Sequence, residues 1–343
     1  PSRPALTDLL SSARVVSLPL RTRFRGVVDR EVMLFEGPNG WAEWSPFLEY
    51  PDEEAAVWLA AAIEFAYGEL PELRREAIPV NATLPAVAPG QVEKVLSRFG
   101  DFGTVKIKVA ESGQSLNDDL QRIWAVRAAY PDARIRLDAN GGYSVEDAMT
   151  IAAAMIENGV SLDYLEQPVS TIAEMAELKL RLNKAGFGSL QNGGVKIAAD
   201  ESVRKVSDPM AVVQADAADI LVLKAAPLGG ISRSLAIAKE AALPVVISSA
   251  LDSSIGLSMG AHLAAALPTH SASEPGGLAF DCGLGTAALL AGDVTREPLI
   301  PVDGFIEVRR VAVDEQKLDI FEAEDHRIDW WIDRLDRAFK HLN

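Results

Sequence analysis

The fold is decided by residues 104–138, which read TVKIKVAESGQSLNDDLQRIWAVRAAYPDARIRLD. The stretch opens with an apolar run at 104–109 and closes with a second one at 133–138, and both runs have the length and composition of β-strands. Between them, Ser115-Leu116-Asn117-Asp118 resembles a capping box with Asp in place of Glu, and Pro131 ends the helical stretch that follows. This order predicts a strand, a helix and the next parallel strand.

The same unit recurs along the middle of the chain. Short β-type runs alternate there with helical stretches of about 10 to 15 residues, which is typical of a parallel sheet whose strands are joined by helices. The predicted strands cover residues 78–84, 104–109, 133–138, 163–166, 195–199, 219–224, 244–249 and 277–282. Eight strands are the number of a closed (β/α)₈ barrel. We therefore predict an α/β fold, a TIM-like (β/α)₇β barrel over residues 78–302.

The residues on either side of the barrel predict a second, α+β domain. Residues 1–77 contain three β-type runs, at 13–19, 27–36 and 40–46, and then an amphipathic helix at 52–67. The tail, residues 303–343, contains a strand-like run at 305–313 and an amphipathic helix at 328–339. We predict that this tail packs back on the N-terminal domain or on the barrel.

Charge and cysteine content exclude several classes of protein. The 343 residues carry a formal net charge of −16, whereas nucleic-acid affinity comes from clustered Lys and Arg. The single cysteine, Cys282, cannot form an internal disulfide and suits a reducing compartment. No apolar run approaches the ~20 residues that cross a bilayer, and residues 1–17 lack a secretory pattern. We expect a soluble cytoplasmic protein without nucleic-acid or membrane partners; its oligomeric state is left open.

Charged side chains end five consecutive predicted strands. In strand order they are Lys106 and Lys108, Asp138, Glu166, Asp200 and Lys224. The intervals from Lys108 onward are 30, 28, 34 and 24 residues, each about one βα unit. Because the carboxyl ends of barrel strands meet at one mouth, where active sites lie in this fold, we expect the six side chains to form one ring.

The three acidic side chains of this ring predict a metal site. Neighbouring carboxylates repel one another by roughly 4 kcal/mol per pair at ~4 Å and an effective dielectric near 20, so a cation is expected among Asp138, Glu166 and Asp200. Oxygen ligands without nearby Cys or His favour Mg²⁺, with Mn²⁺ as a substitute, over zinc. A carboxylate substrate would sit between the lysines on either side. Any lysine that acts as a base there must have a lowered pKa.

Other polar residues near the predicted mouth allow two interpretations. Gly229-Gly230 either binds an anion at the start of a helix or simply turns the chain, and Ser249 either contacts substrate or caps the next helix. Whether Arg136 reaches the substrate is open, and Cys282 is interpreted as a packed thiol. The candidate substrate-binding residues are Arg25, Ser249, Asn140 and Gly229.

The pattern of charged residues resembles that of a known family. Lys106-x-Lys108, Asp138-x-Asn140, Glu166-Gln167-Pro168, Asp200-Glu201-Ser202 and Lys224 are similar, in this order, to the muconate-lactonizing subgroup of the enolase superfamily. The resemblance covers nearly the whole chain, since that subgroup also has an N-terminal α+β capping domain and a returning tail. The loops at residues 21–26, 44–50, 248–256 and 282–286 are most similar to the o-succinylbenzoate synthases of the actinobacterial type.

This resemblance implies a reaction and a role for each charged residue. The reaction is the Mg²⁺-dependent syn dehydration of 2-succinyl-6-hydroxy-2,4-cyclohexadiene-1-carboxylate to 2-succinylbenzoate in menaquinone biosynthesis. Lys108 would remove the proton next to the carboxylate and then help hydroxide to leave. The metal on the three acids would stabilise the enediolate, Lys224 would add positive charge across the ring, and Lys106 would tune Lys108.

Two alternative functions within the subgroup, and one outside it, use some of the same residues. An N-succinylamino acid racemase needs lysines on both faces of its substrate, which Lys108 and Lys224 would supply. A dipeptide epimerase carries Asp-x-Asp at the eighth strand, where this chain has Phe280-Asp281-Cys282-Gly283, and the single Asp281 weakens that alternative. A barrel that only binds a metal or an anion has no need of two lysines beside the metal.

Overall fold

The structure is a computed structural model that describes residues 3–24, 26–191, 193–204 and 208–342. Its strands are β1 (Arg14–Phe24), β2 (Val27–Gly37), β3 (Gly40–Trp44), β4 (Ala77–Pro79), β5 (Ala82–Leu84), β6 (Thr104–Lys108), β7 (Arg134–Asp138), β8 (Leu162–Glu166), β9 (Ile197–Ala199), β10 (Ile220–Leu223), β11 (Val245–Ile247) and β12 (Phe305–Glu307).

The helices connect these strands and cover the barrel. They are α1 (Leu6–Leu10), α2 (Asp52–Tyr67), α3 (Val92–Leu96), α4 (Leu116–Ala129), α5 (Val145–Glu157), α6 (Ile172–Lys184), α7 (Glu201–Arg204), α8 (Ala211–Gln214), α9 (Ala225–Leu228), α10 (Ile231–Ala241), α11 (Ser254–Ala266), α12 (Glu315–Ile320) and α13 (Asp325–Lys340). The predicted capping box begins α4, where Ser115 and Asp118 bond each other's backbone amides. None of the helices in the described ranges combines the length and the apolar character that crossing a bilayer requires.

The core of the fold is a parallel sheet that closes into a barrel. Within the described residues this sheet has seven strands in the order β11-β10-β9-β8-β7-β6-β5, and every neighbouring pair is parallel. The eighth position is taken by residues 277–283. This segment makes single bridges to both edges of the sheet, in the pairs Leu278 with Val245, Gly283 with Ser248, and Cys282 with Val80. The predicted barrel is confirmed, although its eighth strand is a series of bridges rather than a continuous ladder.

The first predicted strand, residues 78–84, is wrong as a single element because the chain changes partner within it. Ile78 in β4 pairs antiparallel with Ile306 in β12, outside the barrel. Only β5 joins the parallel sheet, where Ala82 pairs with Val105. A single apolar run therefore serves two different sheets.

Arg136 fills the inside of the barrel and does not line the cavity at its mouth. Its side chain is fully buried, its Nε lies 3.0 Å from the Asp163 carboxylate, and its guanidinium lies 5.0 Å from the Tyr164 ring. Its Nη1 also donates to the carbonyl of Asp281 at 2.5 Å and to Asn81 at 3.0 Å. Arg136 therefore joins β7 and β8 to the irregular eighth segment, a structural role that answers whether it reaches the substrate.

The N-terminal domain is an antiparallel sheet, β1-β2-β3, covered by α2 and by the C-terminal tail. Trp331 in α13 packs edge-on against Trp44 at 5.3 Å, and Arg334 donates to the carbonyls of Phe47 and Tyr50. The tail thus returns to the N-terminal sheet, while its short strand β12 pairs with β4. The domain boundaries at residues 77 and 302 stay a prediction.

Two carboxylates of the N-terminal domain sit on the first turns of two barrel helices. Glu64 in α2 accepts hydrogen bonds from the amides of Ile231 and Ser232, which begin α10. Glu43 in β3 accepts from the amides of Ser253 and Gly256 at the start of α11, at 2.9 and 3.2 Å. The free amides and the dipole of a helix N-terminus favour a negative charge. These contacts fasten the domain to the barrel.

Gly229, a predicted substrate-binding residue, lies just before a helix N-terminus that is bound by the N-terminal domain, and its contact with substrate stays a prediction. Gly229 ends the short helix α9 in a left-handed conformation, with φ at +88°. The helix N-terminus that follows it already binds the carboxylate of Glu64. The anion at this turn is therefore a side chain of the N-terminal domain, and the glycine pair turns the chain toward it.

We expect Glu64→Ala to lower the free energy of unfolding by about 1–3 kcal/mol, because the first amides of α10 lose their anionic partner. Urea denaturation of the purified chain measures the change. Glu53→Ala is the matched control, since Glu53 lies on the same helix with a side chain that is 71% exposed. Equal unfolding free energies for the two variants would contradict this role of Glu64.

Candidate active site

The six charged side chains predicted for the barrel mouth lie at the ends of neighbouring strands. Lys108 and Asp138 are register partners in the β6–β7 ladder, and Asp138 is the register partner of Glu166 in the β7–β8 ladder. Asp200 follows β9 directly, and Lys224 follows β10. None of the six is more than 6% exposed, so each charge must be offset by its neighbours.

The two lysines of β6 point to the same carboxylate. The Nζ atom of Lys106 lies 3.3 Å from Oδ2 of Asp138, and that of Lys108 lies 3.1 Å from the same oxygen. Lys106 also lies 3.1 Å from each carboxylate oxygen of Glu166. Alternation along β6 thus places both amines inside the barrel mouth, and Lys106 bridges the acids of two strands.

On the other side of the mouth, Asp200 pairs with Lys224 and Arg204. Its Oδ2 lies 2.5 Å from Nζ of Lys224, and its Oδ1 lies 2.9 Å from Nε of Arg204. Arg204 also contacts the carboxylate of Glu201 at 2.8 Å and the hydroxyl of Tyr50 at 3.2 Å. Arg204 is not among the site residues predicted from the sequence. Its position four residues after Asp200, on a helix that begins at the strand end, is the signal that could have identified it.

Burial and crowding shift the pKa values of the central groups. Burial, together with the nearby charge of Asp138, raises the pKa of Glu166 to about 7. Burial acts to lower the pKa of Lys106, but the carboxylates of Glu166 and Asp138 outweigh it and hold this pKa above its ordinary value. Lys106 is therefore a charged partner of the acids in this structure, which differs from the lowered pKa that a basic lysine requires.

Gln167 connects the strand ends that carry two of the acids. Its Oε1 accepts hydrogen bonds from the amides of Asp200 and Ser202, and its Nε2 donates to the Ser202 hydroxyl at 2.8 Å. Gln167 itself has φ at +37°, an uncommon conformation for a residue with a side chain. Because Glu166 directly precedes Gln167, these contacts fix the position of Asp200 relative to Glu166.

The acids fit a divalent metal by their chemistry. Among the described residues, no three acidic, histidine or cysteine groups surround one point closely enough to hold an ion. The ammonium groups of Lys106 and Lys224 lie instead against the three carboxylates. The donors are all carboxylate oxygens, which hard divalent cations prefer, and such a cation would offset the burial and the repulsion by Asp138 that raise the pKa of Glu166. Asp138, Glu166 and Asp200 therefore stay predicted ligands.

A small cavity of about 20 Å³ lies between Lys106 and Lys224 at the centre of the mouth, and Lys108 lines a wider cavity of about 570 Å³ beside it. The lining of the small central cavity includes Lys106, Asp138, Lys224 and Ser249, together with Phe24, Thr83, Ser248, Ala250, Leu251, Gly283 and Thr286. Two wider cavities of about 460 and 570 Å³ share Gly26 in their linings. The mouth is therefore covered by the N-terminal domain and accessible beside it.

The remaining predicted substrate-binding residues lie in different parts of the mouth. Ser249 lines the central cavity and donates to the carbonyl of Gly283 at 3.0 Å. Asn140 lies in the 460 Å³ cavity and donates to Glu201 at 3.0 Å. Arg25 lies outside the described residues. Cys282 is fully buried, and burial raises the pKa of its thiol to about 12, so it is the packed residue that the sequence predicts.

A polar cluster from the N-terminal domain lies behind the wall of the central cavity. Arg30 in β2 donates to the carbonyl of Leu251, and Glu43 is bound to the amide of Ser253. Burial, together with the neighbouring carboxylate of Asp252, raises the pKa of Glu43 to about 7. Arg30 and Glu43 are not predicted from the sequence, because these partners lie more than 200 residues away in the chain.

Models of known protein families match both parts of the chain. The family described as enolase C-terminal domain-like matches residues 89–312, and the family described as enolase N-terminal domain-like matches residues 15–66. The first match covers the barrel and the second covers most of the N-terminal domain.

Named relatives are similar over the full length. The o-succinylbenzoate synthases of Mycobacterium tuberculosis and Mycobacterium marinum are each 50% identical over 342 residues, which is 100% of this chain and 98% of theirs. Among solved structures, muconate lactonizing enzyme of Pseudomonas fluorescens has a TM-score of 0.72 at 20% identity, covering 91% of this chain and 98% of its own. The L-Ala-D/L-Glu epimerase of Bacillus subtilis has a TM-score of 0.70 at 22% identity, covering 88% and 96%. These two structures establish the fold.

We expect the stability of the chain to fall relative to a Glu43→Gln variant as the pH rises from 4.5 to 7. The folded pKa of Glu43, about 7, lies above its ordinary value of 4.5, so the folded state holds a proton that the unfolded state has lost. The difference in unfolding free energy should reach about 3 kcal/mol above pH 7 and vanish below pH 4.5. Urea denaturation at pH 5 and pH 8 measures it, with Glu53→Gln as the control. A difference that is independent of pH would contradict the raised pKa.

Proposed function

The chain belongs to the enolase superfamily and, within it, to the o-succinylbenzoate synthase family, and on this premise we propose that it dehydrates 2-succinyl-6-hydroxy-2,4-cyclohexadiene-1-carboxylate to 2-succinylbenzoate. The enzyme is then a hydro-lyase of menaquinone biosynthesis. The observation that carries the proposal is the set of buried lysines that surrounds three buried acids at the barrel mouth. The 50% identity to o-succinylbenzoate synthases over the full length supports the choice of substrate.

Lys108 is the base and then the acid of the reaction. In its neutral form, its Nζ takes the proton from the ring carbon next to the carboxylate. The ammonium then gives this proton to the departing 6-hydroxyl group, which leaves as water from the same face and makes the ring aromatic. Lys108 begins and ends neutral. Its backbone carbonyl accepts a hydrogen bond from Arg122 at 2.9 Å, which supports a fixed position for the amine.

Asp138, Glu166 and Asp200 are the proposed ligands of a divalent metal, Mg²⁺ with Mn²⁺ as a substitute. When bound, such an ion supplies electrostatic stabilisation of the negative charge that develops on the substrate carboxylate. The chain prepares this site through Arg204, which holds Asp200, and Gln167, which ties the two neighbouring strand ends together. Enzymes of this superfamily use a divalent metal, which agrees with the proposal.

Lys224 and Lys106 supply positive charge on the two sides of the central cavity. Both line that cavity, and each is bound to a different acid. Lys224 stabilises negative charge on the substrate from the side opposite Lys108. Lys106 contacts the carboxylate of the substrate, and its positive charge offsets the negative charge of the buried acids. The substrate is thus a small anionic molecule enclosed by cations.

A racemase of N-succinylamino acids is the second candidate function. It is favoured by the placement of Lys108 and Lys224 against different acids, since racemisation needs an amine on each face of the substrate. The dipeptide epimerase alternative is weakened further, because the carboxylate of Asp281 is bound to Thr104 and Arg134 at the first residues of β6 and β7, away from the mouth.

The cellular setting is proposed with the function. We place the enzyme in the cytoplasm, because the lone Cys282 suits a reducing compartment and the substrate belongs to intermediary metabolism. Its only proposed ligands are the carboxylate substrate and the metal ion.

We expect Lys108→Met to lower kcat for the cyclohexadiene acid by about 10³-fold or more, because the proton loses its acceptor. The assay follows formation of the aromatic product by absorbance. Removal of divalent metal with EDTA should abolish turnover by the unchanged chain, and added Mg²⁺ should restore it. Lys239→Met, which alters an exposed lysine on α10, is the control and should keep full activity. Full turnover by Lys108→Met, or turnover without metal, would contradict the proposal.

The racemase candidate predicts that an N-succinylamino acid incubated in D₂O exchanges its α-proton. Replacing either Lys108 or Lys224 by Met should abolish racemisation, but exchange should be lost only for the enantiomer whose α-proton faces the missing amine, because each amine serves one face of the substrate. Proton NMR measures the exchange. If no exchange is seen while the cyclohexadiene acid is dehydrated, the chain is a synthase without racemase activity.

A further inference from the structure

One wall of the central cavity is an irregular loop that follows β11. Residues 248–251 line the cavity beside Lys224. Within this loop Leu251 is only 2% exposed and has φ at +64°, in the left-handed region that residues with side chains rarely adopt. A backbone in that conformation persists only where its surroundings hold it. The shape of this wall therefore depends on contacts made behind it.

The contact behind the wall is Arg30, which belongs to the N-terminal domain. Arg30 lies in β2, is 2% exposed, and is not among the residues that line the cavity. Its Nε donates to the carbonyl of Leu251 at 3.3 Å, and its Nη2 lies 3.5 Å from the carbonyl of Ala250. The same guanidinium donates to the carbonyl of Ser45 and lies 4.4 Å from the ring of Phe47. A single side chain thus joins the cavity wall to the N-terminal sheet.

A second residue of the same domain holds the other end of the loop. Glu43 accepts from the amide and the hydroxyl of Ser253 and from the amide of Gly256, at 2.9, 2.5 and 3.2 Å. Between the two anchors, Asp252 accepts from the amide of Ala250 at 3.2 Å. Arg30 therefore holds the loop through its carbonyl groups, and Glu43 holds the residues after it through their amide groups.

We propose that Arg30 is a positioning residue for substrate binding: by holding the carbonyls of Ala250 and Leu251, it sets the wall of the cavity against which the substrate packs. This rests on the proposed function and adds to it a residue that touches neither substrate nor metal. The planar guanidinium reaches the carbonyls of Ser45, Ala250 and Leu251 at once, whereas a lysine amine at this position reaches fewer of them. The shape of the cavity is then determined jointly by the barrel and the N-terminal domain.

The test compares Arg30→Met and Arg30→Lys with the unchanged enzyme loaded with Mg²⁺. Arg30→Met should raise KM for the cyclohexadiene acid, and Kd for 2-succinylbenzoate, by about tenfold, with kcat changed by less than about threefold, because a displaced wall weakens binding of ground state and transition state alike. Arg30→Lys should show a smaller rise. Arg310→Met is the control: Arg310 also donates to a buried backbone carbonyl, that of Phe65, and should keep wild-type KM and kcat.

Hydrogen–deuterium exchange provides a readout that does not depend on activity. Amides of residues 248–253 should exchange faster in Arg30→Met, and in Arg30→Lys if the Met variant does not fold, but not in Arg310→Met. Unchanged KM, product Kd and exchange in a folded Arg30 variant would overturn the positioning role. A wild-type enzyme that fails to dehydrate the substrate would instead refute the proposed function, and the exchange data would still decide the role of Arg30.

Discussion

The structure depends on the buried contact of Lys106 and Lys108 with the carboxylates of Asp138 and Glu166. Like charges at adjacent strand ends would repel strongly in the interior of a barrel, and desolvation adds to the cost of each one. The register of β6, β7 and β8 brings opposite charges within 3.1 to 3.3 Å, which offsets that cost. The same contacts collect acids that prefer a hard metal ion and amines that can move a proton. The ion pairs that stabilise the barrel mouth are therefore formed by the same residues that are proposed to carry out the reaction.

The N-terminal domain contributes to the barrel mouth through buried side chains that contact the barrel, as well as through its loops. Glu64 places negative charge on the N-terminus of α10, and Glu43 accepts hydrogen bonds from amides at the N-terminus of α11, where helix amides lack partners within the helix. Arg30 binds the wall of the cavity from behind. Because these contacts are buried, the domain is fastened to the barrel mouth, and the cavity is formed between the two.

Much of the barrel and its charged ring could be predicted because both follow from local periodicity. Lys108, Asp138, Glu166 and Asp200 recur at intervals of one βα unit, and parallel strands must present their carboxyl ends on one face. Contacts between distant parts of the chain produce no regular spacing in the sequence and could not be predicted from it. The sequence leaves open whether Gly229-Gly230 binds an anion or turns the chain, because nothing local shows that Glu64, 167 residues before Ile231, binds the helix N-terminus that follows.

Other features were missed for the same reason. The sequence predicts one strand at residues 78–84, because nothing local indicates that β12 pairs with its first residues. Arg30 reads as an ordinary strand residue until the loop after β11 is seen to lie against it.

The most direct test of the central claim is the anomalous diffraction of crystals grown with Mn²⁺. We predict one strong anomalous peak in contact with carboxylate oxygens of Asp138, Glu166 and Asp200 together. A peak at another location, or none at these three acids under saturating Mn²⁺, would contradict it.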